Sequence, residues 1–142
     1  MKLNTENEDL ETIMRDYEAA IVYMFLDETE QNPDFKMGSG GAWKWLETQQ
    51  EELHKSRASV IFSLNRRVDD GIMDWDDKTG KGGHHRLYKL AVPGREGIHD
   101  LIVTEIVDCL DHNFGGALKR AVDAEILRRQ LQTKPAARAR NL

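Results

Sequence analysis

The residues best suited to chemistry lie in two neighbouring groups. Lys78, Lys81, His84, His85, Arg86 and Lys89 gather around Gly80, Gly82 and Gly83. Glycines let a backbone come close to an anion, and the cations beside them supply donors for its oxygens. Upstream, Ser56, Arg57, Ser59, Ser63, Asn65 and Arg66 are types that hydrogen-bond base edges or phosphates. Residues 54–90 hold eight basic against five acidic side chains, a net +3, whereas residues 1–34 hold two against ten, a net −8. A chain whose overall charge is −5 can therefore turn a basic face to a polyanion.

Other chemistries find less support. His84, His85, His99, His112, Asp108, Cys109 and Asp111 are metal-capable types, and Cys109 and His112 are spaced to share a helix face. No recognisable four-ligand spacing accompanies them, so neither a metal site nor a cofactor is expected. A single cysteine excludes an internal disulfide framework, and Cys109 sits in an apolar row where it reads as a small packed hydrophobe. The Gly38-Ser39-Gly40-Gly41 stretch is too short for a phosphate loop, and no nucleophile or acid/base set is recognisable, so an enzyme is not expected. The start of the chain is polar and acidic and no apolar run approaches a spanning length, which points to a soluble cytoplasmic protein.

These groups must be positioned by a small, mainly helical scaffold of 142 residues. Leu10, Ile13, Met14, Tyr17, Ile21, Met24 and Phe25 recur at helical spacing, predicting a helix over residues 8–31 that ends before Pro33. A flexible turn follows at residues 37–41, then a short helix over 42–53. Ser56 reads as the N-cap of a third helix, 56–70, with Val60, Ile61, Leu64 and Val68 inward and Gly71 as its stop. Alternating apolar and polar residues on both sides of 77–85 predict a hairpin, 72–90, with a long glycine-rich tip. Residues 94–132 read as two amphipathic helices separated by Asn113-Phe114-Gly115-Gly116, and 133–142, with Pro135, as a disordered tail.

Helix, helix, turn, helix and glycine-tipped hairpin is the order of a winged helix-turn-helix, here a mainly α domain over residues 1–93 with a small β-hairpin as its wing. Residues 94–132 are the expected dimerisation region, through Ile102, Ile106, Leu110, Phe114, Leu118 and Val122. Trp43, Trp45, Tyr23 and Phe25 could line a pocket for a small-molecule effector.

The stretch from Ser56 to Ile72, with its serine, apolar ladder, leucine, arginine and glycine, resembles the recognition helix of MarR-like and penicillinase-repressor-like (BlaI/MecI/CopY) regulators. Lys81-Gly82-Gly83-His84-His85-Arg86-Leu87-Tyr88 is similar to their wing, and residues 110–118 to the phenylalanine-glycine turn of the penicillinase-repressor dimerisation helices. The chain lacks the C-terminal cysteine pattern of the copper-responsive members. The resemblance implies a homodimeric repressor that binds a palindromic operator in double-stranded DNA. Ser56, Arg57, Ser59, Ser63, Arg66, Lys78, Lys81, His84, His85 and Arg86 are the expected contacts. A winged-helix protein-interaction module that does not bind DNA is the alternative, kept open by the acidic overall charge.

Overall fold

The computed structural model describes residues 2–140, with side chains as far as Thr133. Helix α1 (Asp16–Gln31) buries Tyr17, Ala19, Ile21, Val22, Met24, Phe25 and Leu26, and the Glu18 carboxylate accepts the Arg15 N–H at 3.0 Å to close its first turn. The spacing predicts one helix over 8–31, but the structure breaks it. Asp9–Thr12 forms a separate 3-10 turn, with Asp9 in the left-handed region at φ 52°. Hydrogen bonds remote in sequence hold it there. Asn4 N–H reaches the Thr12 carbonyl, and the Tyr23 hydroxyl accepts from Leu10 N–H while donating to Glu11.

The segment expected to be a flexible turn is ordered. Met37–Gly38 forms a short strand, β1, and helix α2 (Ser39–Glu47) starts at once, followed by a 3-10 turn at Glu51–Leu53. The expected helix over 42–53 therefore begins and ends earlier. Packing is close around the two glycines in the first turn of α2, closest at Gly41. A Cβ on Gly41 would lie 2.9 Å from Met37 Cγ, and one on Gly40 would meet the Arg57 guanidinium at 3.3 Å.

Helix α3 (Arg57–Asp69) follows the sequence reading closely: Ser56 Oγ accepts the Ser59 N–H at 3.1 Å, and Gly71 beyond its end has φ 82°. Strands β2 (Met73–Gly80) and β3 (Gly83–Leu90) pair antiparallel from Met73↔Leu90 to Gly80↔Gly83. The hairpin thus ends in a two-residue turn, Lys81-Gly82, instead of a long loop. Gly82 (φ 104°) and Gly83 (φ 107°) accept the backbone angles that let pairing run so far. With Met37 opposite Tyr88 and Gly38 opposite Leu87, β3 is the central strand of a three-stranded sheet in the order β1-β3-β2. Phe25, Leu46, Val60, Leu64, Ile72, Met73 and Tyr88 supply its core, where three helices meet the sheet. This is the expected winged helix, with one strand more than the hairpin alone.

Helix α4 (Gly94–Phe114) begins in the first compact unit, which extends to His99 instead of closing at residue 93. Ile98 is buried there, and Arg95 and His99 both pair with Asp9, at 3.4 and 2.7 Å. The second unit, residues 100–142, holds the rest of α4, a turn at Gly115 and Gly116 with φ 39° and 74°, and α5 (Ala117–Arg140). The backbone stays helical through Pro135 to Arg140, where the sequence suggests a disordered tail. The run after the proline is rich in alanine and arginine, both strong helix formers. Residues 141 and 142 lie outside the described residues.

Leu64→Ala should lower unfolding stability by about 2–5 kcal/mol, because its fully buried side chain leaves a cavity between α3 and the sheet. A urea titration followed by far-UV circular dichroism measures this.

Candidate nucleic-acid interface

The surface of α3 is sorted by its helical phase. Val60, Ser63, Leu64 and Arg67 take the buried face, while Arg57, Ala58, Phe62, Arg66 and Asp69 are exposed and Asn65 is half-buried. Ser63 is only 2% exposed, so its hydroxyl faces the interior and not a ligand, contrary to the sequence expectation. It shares the stripe of Val60 and Leu64, one turn either side of which the core closes. Ser56 and Ser59 are joined by their hydroxyls at 3.0 Å as part of the helix cap. Arg57 projects at the same end, its guanidinium against Gly40 of α2. Arg66 lies 3.6 Å from Glu18, and Arg67 pairs with Asp70 at 3.0 Å.

The register of the hairpin separates its basic residues onto two faces, since directly paired residues point the same way. Arg86 and His84 share the face of Trp75 and Tyr88; Lys78 and His85 are opposite each other on the reverse face. Lys81 occupies the turn between them. All five of these basic residues and their glycines are exposed. Lys89, on that reverse face, pairs with Asp76, which also binds Lys36 beside β1. The hydrogen bond from Lys36, reinforced by that from Lys89, holds the Asp76 carboxyl below its ordinary range.

Helix and wing are coupled through one amide. Asn65 Oδ1 accepts from Arg86 Nη1 at 3.0 Å and from the Tyr88 hydroxyl at 2.7 Å. The Arg86 guanidinium also stacks 4.3 Å from the centre of the half-buried Trp75 ring. Burial pushes the Tyr88 phenol above its ordinary pKa. Sequence reasoning noticed Asn65 without finding this junction, because it joins residues more than twenty positions apart. Phe62 stands outside the inward ladder of Val60, Ile61, Leu64 and Val68, so its outward position is legible in the helical spacing.

Three of the four aromatic residues suggested for an effector pocket have separate contacts of their own. Phe25 is fully buried and meets Phe35 edge-on at 5.5 Å, the Tyr23 hydroxyl is held by Glu11, and the Trp43 indole donates to the Lys55 carbonyl. A different cavity, of about 480 Å³, lies among Leu26, Asp27, Thr29, Glu30, Leu90, Gly94 and Arg95. Among the described residues no three histidine, cysteine, aspartate or glutamate side chains converge as metal ligands, and no helix is long and apolar enough to cross a membrane.

In the second unit, Ile102, Ile106, Leu110 and Leu118 are half-buried, while Phe114 and Val122 are exposed. Val103, Val107, Ile126, Leu127 and Leu131 are exposed as well. Among the described residues from 100 to 133 none is buried, so these helices have no interior of their own.

The chain matches no family model and no curated protein. Among solved structures, one described as a possible transcriptional regulator from Methanosarcina mazei Go1 aligns with a TM-score of 0.52 and 18% identity, over 75% of this chain and 78% of that one. Another, described as a candidate transcriptional regulator of Thermoplasma acidophilum, aligns with a TM-score of 0.43 and 18% identity, over 83% and 98%. At such identity the first likeness is one of fold: the chain is a winged helix-turn-helix protein.

Asn65→Leu should strand the buried Tyr88 hydroxyl and cost about 1–3 kcal/mol. In a Tyr88→Phe background the same substitution should cost clearly less. Denaturant titration of the four proteins of that cycle reads the coupling.

Proposed function

We propose that the chain is a sequence-specific DNA-binding transcriptional regulator, a homodimeric repressor of the penicillinase-repressor-like or MarR-like kind acting on a palindromic operator. The observation that carries this reading is the outer face of α3, bearing Arg57 and Arg66, set beside a tight hairpin whose tip carries Lys78, Lys81, His84 and His85. An α-helix fits the major groove of B-DNA, and the hairpin is the right shape to follow the neighbouring phosphates. The description of the Methanosarcina mazei structure as a possible transcriptional regulator supports the regulatory part of this reading. In this reading Arg57 and Arg66 approach base edges or phosphates and Lys81 leads the wing to the backbone. Ser56 and Ser59 present the start of the helix. Arg86, bound to Asn65, lies at the junction between groove and wing.

A second copy is the partner for residues 100–133. The row Val103, Val107, Leu110 and Phe114 on α4 alternates spacings of four and three, as a helix–helix seam does, and on α5 Leu118, Val122 and Ile126 recur at intervals of four. Covering such rows with their own symmetry mates buries them without a second protein. Two recognition helices then stand roughly 34 Å apart, one turn of DNA, and read a palindrome. Occlusion of a promoter by this dimer gives repression; the role is that of a binding protein and not of an enzyme.

Binding to a fragment carrying the protein's own promoter should exceed binding to a scrambled duplex and fall steeply with salt, because lysine and arginine contacts release counterions. Absence of binding at low salt would overturn the reading. Lys81→Ala should weaken binding to every sequence and reduce the salt slope by about one per protomer, whereas Arg57→Ala should chiefly relax discrimination between duplexes. Val122→Asp should convert dimers to monomers in sedimentation velocity at micromolar concentration, by burying a carboxylate in the seam.

A further inference from the structure

We infer that Phe62 and Asn65 together read thymine, Phe62 its 5-methyl group and Asn65 its O4 atom, making the operator depend on one thymine at a fixed place in each half-site. This rests on the DNA-binding reading above.

Phe62 is 73% exposed, the most open of the large hydrophobic side chains among the described residues. It lies on the outer face of α3, with Ala58 one turn before it and Arg66 one turn after. Its surroundings indicate the occupant. Arg57 and Arg66 are the exposed cations of this stretch of the helix, and no residue from 57 to 67 is acidic, so the phenylalanine lies between positive charges suited to a polyanion. On the major-groove edges of the four bases the one apolar group is the thymine methyl, and an aromatic ring set against it removes apolar area from water on both sides.

Asn65, three residues on, supplies the polar half. A guanidinium has only donors, so the bond from Arg86 obliges the amide to present its oxygen inward, where Tyr88 occupies it a second time. The oxygen is thus committed, and the amide nitrogen remains to donate. An asparagine held this way cannot make the paired donor and acceptor contact that recognises adenine. It can donate to an acceptor, and thymine carries O4 next to its methyl group.

The test starts from duplexes selected out of a random library by the full-length protein. Each thymine of the selected site is then replaced singly by deoxyuridine, which removes only the methyl group. Affinities are measured for the wild type, Phe62→Ala and Phe62→Leu. At one position per half-site the wild type should lose about fourfold, the worth of one buried methyl-sized group. Phe62→Ala should be weaker on the unaltered duplex by at least that factor and indifferent to deoxyuridine there, with its circular dichroism spectrum and salt slope unchanged. Phe62→Leu should keep the sensitivity. Wild-type indifference to every replacement overturns the inference even if Phe62→Ala fails to fold, as does an equal loss in wild type and Phe62→Ala. Retention of full affinity by Phe62→Ala also overturns it and points to a protein partner for that side chain. If the library yields no preferred duplex and binding is absent at low salt, the DNA-binding reading itself fails.

Discussion

Tyr88 lies on the central strand with its ring in the core, and its hydroxyl cannot be left there without a partner. Asn65 meets that requirement from the helix above, and in doing so it settles much else. The bond fixes which way α3 is rotated over the sheet, because only one phase brings residue 65 to the strand. With that phase set, Val60 and Leu64 enter the core, Arg67 lies along its border with Asp70, and Phe62 and Arg66 face outward. The same oxygen gathers Arg86, whose guanidinium covers Trp75 and ties the base of the wing to the helix. One amide therefore orients two elements relative to each other with an accuracy that apolar packing alone does not impose.

The other edge of the sheet is secured by charge. Asp76 on β2 takes ammonium groups from Lys89 on β3 and from Lys36 just before β1, so a single carboxylate spans the three strands. These groups are half-exposed, and their contribution is one of alignment more than of stability. Two lysines are in this way directed to the scaffold. Those at the far end of the hairpin, Lys78 and Lys81, are exposed and stand out from it at the tip.

Much of this architecture was legible because local chemistry and tertiary structure agree. Ser56 caps α3, Gly71 ends it, and the alternation in residues 72–90 matches a paired ribbon. Where they diverge, the sequence misleads for identifiable reasons. Gly40 and Gly41 read as a break, but they lie inside the first turn of α2, and a side chain at Gly41 would collide with Met37. The separation of Asp9–Thr12 from α1 depends on hydrogen bonds from Tyr23 and Asn4 that no periodicity reveals. A two-residue strand such as β1 has no period to detect. For the candidate interface, the residue types were visible but their facing was not. Ser63 and Phe62 are adjacent in sequence, and only the helical phase places the serine inside and the phenylalanine outside. Likewise the register alone puts His84 and Arg86 on one side of the ribbon and Lys78 and His85 on the other.

The contrast between the two units has a further consequence. Residues 2–99 enclose a core, whereas the described residues from 100 to 133 bury nothing. Helices of this kind draw most of their stability from an apolar face being covered, and little from their own propensity. If a second copy provides the cover, the folding of α5 and the encounter of two chains become the same event, and its midpoint moves with protein concentration. The number of chains with an ordered C-terminal half would then rise as the square of abundance at low copy number, and their fraction in direct proportion to it. A cell could set the threshold at which this protein becomes competent simply by how much of it is made.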